Sequence, residues 1–226
     1  MTCGTSSLKM NSTKPPTHTK KRILITGAGR SGTSVFKMLM STGFFNIRAL
    51  PGEKFPEKKF ITPPKILLGK CLAIPLKRMQ KYLLDSDLAV LFMIRHPYDV
   101  LVSEHPSTRG TYCTPPEVWN HMADIALCMS ESMTVVSYDK LVNQPDVQQK
   151  RIAEKLSLTI KRPFSECHEY FDETDVEMVK NMGGIRPMDT SRNKMWHRHW
   201  HAERINDIKE RYPDMLRKYN DVLELS

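Results

Sequence analysis

Long hydrophobic runs are missing from this chain. The longest, Leu88 to Ile94, is seven residues, far below the roughly 20 that a membrane-spanning helix needs, so no stable membrane insertion is expected. Cysteine is also scarce. The five present, Cys3, Cys71, Cys113, Cys128 and Cys167, are odd in number and widely spaced, with no C-x-x-C pair, which argues against a disulfide framework and a cysteine zinc site. Reduced thiols in a cytoplasmic compartment fit this usage. No apolar segment precedes the first strand-like run, where "STKPPTHTKKR" stands instead, so a secretory leader is not expected. Internal repeats and clear linkers are lacking as well.

What is present is a basic chain of 226 residues with a formal net charge of +9, long enough to bury a core without staples. Such a charge suits nucleic acid, an anionic membrane or a polyanionic small ligand. No RNP-like strand, GXXG clamp or zinc finger accompanies it, so nucleic acid is not the expected partner. Residues 1–20, rich in Ser, Thr, Lys and Pro, read as a flexible lead-in, and residues 21–226 as a single domain. Strand-like and helix-like patterns then alternate: strand 22–27, helix 32–42, strand 65–70, helix 75–84, strand 88–95 and a helix opening at Pro97. Near-continuous apolar strands such as "LAVLFMI" belong to a parallel sheet covered on both faces. The expected class is α/β, a three-layer sandwich around a central, mostly parallel sheet. Downstream, 115–132 has the length of a helix and "MTVVSYDKL" reads as a strand. "QPDVQQKRIAEKLSL" reads as a helix with Val147, Ile152 and Leu156 on one face, 48–64 as an irregular connection, and the last third as mostly helical.

The stretch "ITGAGRSGTS", Ile25 to Ser34, sits between the first strand and the first helix. Gly27 and Gly32 have the spacing of G-x-x-x-x-G-K-[ST], but Thr33 stands where that motif has lysine. A glycine-rich strand-to-helix turn directs backbone N–H groups and the positive helix end at one point, and so binds phosphate or sulfate. The missing lysine counts against hydrolysis of a nucleoside triphosphate. A cation remains, displaced into the loop as Arg30. A second segment, "MIRHPYDVLVSEH", puts Arg95 at the carboxyl end of an apolar strand and Ser103 beyond a proline-started helical turn. Ligands of open α/β sheets bind at the carboxyl ends of strands, so Arg30 and Arg95 are expected to face one crevice.

In these two segments the sequence resembles the sulfotransferases that use 3′-phosphoadenosine 5′-phosphosulfate (PAPS). "GRSGTS" is similar to their P-[KR]-S-G-[ST]-[ST] core, with Gly29 in place of proline, and "RHPYDVLVS" to R-[DN]-P-x-D-x-x-x-S, with His96 as the departure. "VVSYDKLVNQPDVQQKRIAEKLSL" resembles the family's Y-E-D-L strand and following helix, and "RPMDTSRNKMWHRHW" its C-terminal R-P-x-x-x-S-R-x-x-x-W stretch. "LLGKCLAIPL" resembles the strand carrying G-E-K-T-P, with Gly69 in place of the acid. The likeness covers about residues 22 to 218.

The resemblance implies a P-loop-like 5′-phosphosulfate site at Gly29, Arg30, Ser31, Gly32, Thr33 and Ser34, and a 3′-phosphate site at Arg95 and Ser103. Arg30 takes the place where many members have a catalytic lysine; an arginine stays charged and forks onto two oxygens. Tyr138 contacts the adenine edge or the loop that holds it, or is a buried tyrosine in a core strand. Arg192 and Lys194 would close on the 3′-phosphate, with Trp196 over the nucleotide or in the core. His105 is the first choice for the base, Glu104 the second, with Lys70 assisting electrostatically. PAPS is then the co-substrate and PAP the product, and the acceptor is a small molecule or glycan carrying a hydroxyl or amine. The alternating His197, His199 and His201 suggest a metal, but no acid or cysteine ligand stands beside them, and none is expected. Two alternatives remain: a P-loop kinase or NTPase-like protein, and a degenerate PAP- or PAPS-binding protein.

Overall fold

The structure is a computed structural model; it describes residues 20–61, 65–104, 110–171 and 194–226, together with 179, 184, 185, 187 and 188. Five parallel strands form one sheet: β1 (Arg22–Gly27), β2 (Ile47–Ala49), β3 (Ile66–Lys70), β4 (Leu88–Ile94) and β5 (Thr134–Ser137), in the order β2-β3-β1-β4-β5. Among the described residues, helices follow the strands: α1 (Thr33–Gly43), α2 (Leu76–Leu83), α3 (Pro97–Leu101), α4 (Pro116–Met129), α5 (Tyr138–Asn143), α6 (Pro145–Leu156), α7 (Ala202–Arg211) and α8 (Met215–Glu224). Proline opens α3, α4 and α6, where its missing N–H is not needed and its fixed φ already suits a helix. None of the described helices is long and apolar enough to cross a membrane.

Every residue of β1 and β4 is buried, as a central parallel strand requires. Successive side chains then serve opposite layers. Leu24, Val90, Phe92, Ile94 and Val135 pack with α3, α4, α7 and α8 around Trp119 and Val222. Ile23, Ile25, Leu91, Met93 and Val136 pack with α1, α5 and α6 around Phe36, Leu39 and Ile152. The molecule is therefore a three-layer α/β sandwich. The chain runs from β1 through α1 toward the β2 edge, whereas β4 lies on the other side of β1. That reversal opens a crevice outside the carboxyl ends of β1 and β4, the place where such sheets hold ligands.

Several expectations need correction. The segment 48–64 is not wholly irregular, because Ile47–Ala49 pairs in register with Ile66–Leu68 as an edge strand. Three residues of moderate hydrophobicity are too few to show a period. The strand expected over "MTVVSYDKL" stops at Ser137, whose hydroxyl accepts from Lys140 N at 3.3 Å and caps α5. In α6, Ile152 is buried but Val147 is 57 % exposed, while Gln148 and Gln149 are inside. The lead-in 1–20 lies outside the described residues except for Lys20.

Gln149 is buried for a reason. Its amide donates to Gly43 O at 3.1 Å and Arg162 O at 2.8 Å and accepts from Phe164 N at 3.0 Å, satisfying backbone groups where α1 ends and the 3-10 turn Phe164–Glu169 begins. Gln149→Leu keeps the volume but removes the partner of Arg162 O and Phe164 N, while Gly43 O still accepts from Lys161 N at 2.8 Å and Arg162 N at 3.3 Å. Denaturant unfolding should show a loss of about 3 kcal/mol, and a change under about 0.5 kcal/mol would contradict this role.

Candidate active site

The loop after β1 is shaped by two left-handed residues, Arg30 with φ 64 and Gly32 with φ 95. A non-glycine residue in that region costs about 1–2 kcal/mol, so the surroundings must hold it. Ser31 donates twice to Ala28 O, from N at 3.3 Å and from Oγ at 2.6 Å. Thr114, buried on the segment before α4, donates from Oγ1 to Gly29 O at 3.0 Å. Gly32 has no substitute here, since a Cβ would lie 2.3 Å from the Tyr138 ring. The N-terminus of α1 carries no side-chain cap, which leaves its first-turn N–H groups and positive dipole end facing the loop. Thr33, at the Walker lysine position, is buried as the first helical residue.

The cations therefore come from other elements. Arg95, buried at the end of β4, donates from Nη1 to Arg30 O at 3.4 Å. Its guanidinium lies 4.5 Å from the centre of the Tyr138 ring, a cation–π contact that fixes its plane. Its own carbonyl accepts from Trp119 Nε1 at 3.2 Å. Arg30 Nε donates to Ser103 Oγ at 3.0 Å, so residues from the two sequence segments touch. Burial draws the Arg30 guanidinium below its ordinary pKa; Cys113 and Tyr138 oppose that shift, and Arg95 adds to it. From the other side comes Lys70, the buried last residue of β3, donating to Ser34 Oγ at 2.9 Å and pairing with Glu53 Oε1 at 3.2 Å.

Arg30, Ser31, Gly32, Thr33, Ser34, Lys70, Arg95, Ser103 and Tyr138 thus form one neighbourhood, linked by the contacts above. Tyr138 is the first residue of α5, not a strand residue, and its ring touches both Gly32 and Arg95. Lys194 is exposed, and its backbone N donates to Asp99 Oδ2 on α3 at 2.9 Å. Glu104 accepts from Gly110 N at 3.0 Å. His105 and Arg192 lie outside the described residues. Among those described, no three His, Cys, Asp or Glu are grouped to hold a metal ion; His197, His199 and His201 fall in two short 3-10 turns, with only His201 buried. Sequence reasoning passed over Thr114, Trp119 and Glu53, whose contacts are long-range and leave no local pattern.

No family model matches the sequence, and no curated protein sequence does. The fold, however, has solved counterparts. The sulfotransferase domain from the curacin biosynthetic pathway shares 14 % identity with a TM-score of 0.55, covering 84 % of this chain and 96 % of that one. Mouse sulfotransferase SULT7A1, solved with PAP, shares 11 % identity with a TM-score of 0.54, covering 91 % of this chain and 89 % of that one. The chain has the sulfotransferase fold.

His96, beside Arg95, is packed in an aromatic box. Trp196 stacks parallel to it at 5.4 Å, while Tyr98 and Tyr219 meet it edge-on at 5.4 and 5.2 Å. Burial lowers its pKa; Asp99 and Asp139 oppose this, and Arg95 and His197 reinforce it. The folded protein then binds this proton less readily than the unfolded chain does. The stability contribution is complete above the ordinary histidine pKa of about 6.5 and is lost as pH falls through the lowered folded value. Melting temperature should fall as pH drops below about 6.5 and fall less in His96→Asn; parallel curves for the two proteins would rule His96 out as the source.

Proposed function

We propose that the protein is a sulfotransferase that moves the sulfuryl group of PAPS to a hydroxyl or amine of a small-molecule or glycan acceptor, in a cytoplasmic setting, and releases PAP. One observation carries this reading: Arg30, Arg95 and Ser103 converge at the reversal of strand order, beside the uncapped N-terminus of α1. A nucleotide with phosphate-type groups at both its 3′ and 5′ positions needs two anion sites a short reach apart. A triphosphate needs one long site with a lysine in the loop, and Thr33 is buried where that lysine would be. SULT7A1, which shares the fold, was solved with PAP.

The residues fit such a ligand by their chemistry. The N–H groups of Gly32 to Ser34 and the Arg30 guanidinium would hold the 5′ end, and Arg95 with Ser103 the 3′-phosphate through charge-assisted hydrogen bonds. Gly29, tied to Thr114, and Gly32, packed on Tyr138, keep the loop in shape. Tyr138 also keeps Arg95 in plane. Lys194 and Arg192 would approach from the C-terminal segment. PAPS supplies a sulfuryl group on a phosphate leaving group, and charge builds on the bridging oxygen as the two separate. Arg30 and Lys70 place fixed positive charge there, favouring the transition state over the ground state.

Thermal-shift titration should show greater stabilisation by PAP than by ATP. Equal or better stabilisation by ATP would overturn the assignment and return the kinase or NTPase-like alternative. Arg95→Ala and the milder Ser103→Ala should each weaken PAP by about 10- to 100-fold and erase the preference over ATP. Selectivity unchanged in both variants would remove this pair from the site.

A further inference from the structure

The resemblance drawn from the sequence leaves a gap at Gly69, where relatives carry an acid before the lysine of this strand. The structure shows why none stands here. A Cβ on Gly69 would lie 2.4 Å from Lys54 O and 2.5 Å from Pro56 Cδ, so the segment after β2 occupies the space a side chain would need. That segment is fastened along β3. Leu50 N donates to Leu68 O at 2.8 Å, and Lys70 N to Lys54 O at 3.0 Å. It also carries a carboxylate into the site, because Glu53 Oε1 lies 3.2 Å from Lys70 Nζ, and Lys70 Nζ in turn lies 2.9 Å from Ser34 Oγ of the anion loop.

We infer that Glu53 is the catalytic base of this protein, a carboxylate delivered from the neighbouring loop to replace the acid that Gly69 cannot carry. The inference rests on the sulfotransferase reading and adds to it the group that receives the proton. Three features suit Glu53 to that task. Its side chain is 46 % exposed, so it can meet an incoming acceptor, whereas its partner Lys70 is only 5 % exposed. Among the described residues its one polar partner is Lys70, at Oε1. Lys70, between Glu53 and Ser34, links the base to the loop that would hold the sulfuryl donor. Glu104, an exposed acid beside Ser103, already accepts from Gly110 N at 3.0 Å.

The step balances without a further reactant. The acceptor O–H bond breaks and its proton goes to the Glu53 carboxylate. The freed electron pair forms the new oxygen–sulfur bond, while the bond from sulfur to the bridging oxygen breaks and its pair leaves on the phosphate of PAP. Water is the simplest acceptor, so hydrolysis of PAPS to sulfate and PAP reports on the base without knowledge of the natural acceptor.

The test is single-turnover hydrolysis of sulfur-35-labelled PAPS by the full chain, with PAP affinity measured in parallel by calorimetry. Glu53→Gln should slow hydrolysis by about 100-fold, while PAP affinity stays within about threefold of the parent value. Glu53→Ala should be equally slow and regain rate on addition of formate, a rescue that a merely structural ion pair would not give. Parent-like hydrolysis by Glu53→Gln, or a loss of rate matched by an equal loss of PAP affinity, overturns the proposal. So does a loss confined to His105→Ala. Failure of the parent protein to bind PAP at all is a different result, and takes the nucleotide reading down together with this one.

Discussion

Two guanidinium groups at one crevice repel each other, and the candidate site depends on their being kept there. The Arg95 carbonyl is fixed by Trp119, its charged plane by the Tyr138 ring, and its Nη1 by the carbonyl of Arg30. Arg30 is held by a left-handed backbone that the protein supports from three sides, through Ala28, Thr114 and Tyr138. Concentrated positive charge in a partly buried place has a use when an anion arrives, because each contact is then stronger than it would be in water. Such preorganisation also spares the cost of assembling the donors during the reaction.

The sheet makes that arrangement possible. Loops leaving β1 and β4 diverge from adjacent strands, so their ends open a space instead of closing it. The β1 loop receives its helix dipole from α1, and the β4 end receives α3, whose Asp99 accepts the N–H of Lys194 and so fastens the C-terminal segment beside the site. The C-terminal helix is tied in from the same quarter. Tyr219 donates to Asp139 at 2.6 Å, and Lys140 donates to the carbonyl of Ser226 at 2.7 Å. Burial, with Asp139 alongside, pushes the Tyr219 hydroxyl well above the ordinary tyrosine pKa, so it remains a donor in this pair.

Much of this was legible in the chain. The seven apolar residues at 88–94 suit a strand buried on both faces, and four strand-like runs alternating with helix-like ones point to a parallel α/β sandwich. The two anion loops were legible because glycine, hydroxyl and arginine positions within each are local, a few residues apart. The short edge strand 47–49 was not, since three residues carry no periodicity. Nor was the burial of Gln148 and Gln149, where backbone groups at the ends of other elements dictate a polar interior. The strand overrun at 138–141 has a similar cause: Ser137 turns the chain into a helix through a cap that β-branched composition alone conceals.

The sequence by itself determined the layers and the two cationic loops, because hydrophobic period and strand-to-helix turns are set by neighbours along the chain. Tertiary structure alone decided which groups from distant segments share the crevice. Thr114 on Gly29, Tyr138 under Arg95 and Glu53 beside Lys70 are pairings across 85, 43 and 17 positions of the chain. Nothing in either partner's immediate sequence encodes the other. The loop that lies on Gly69 shows the limit most plainly: the chain reveals that an acid is missing there, and only the packed structure shows what fills the space and which carboxylate it brings.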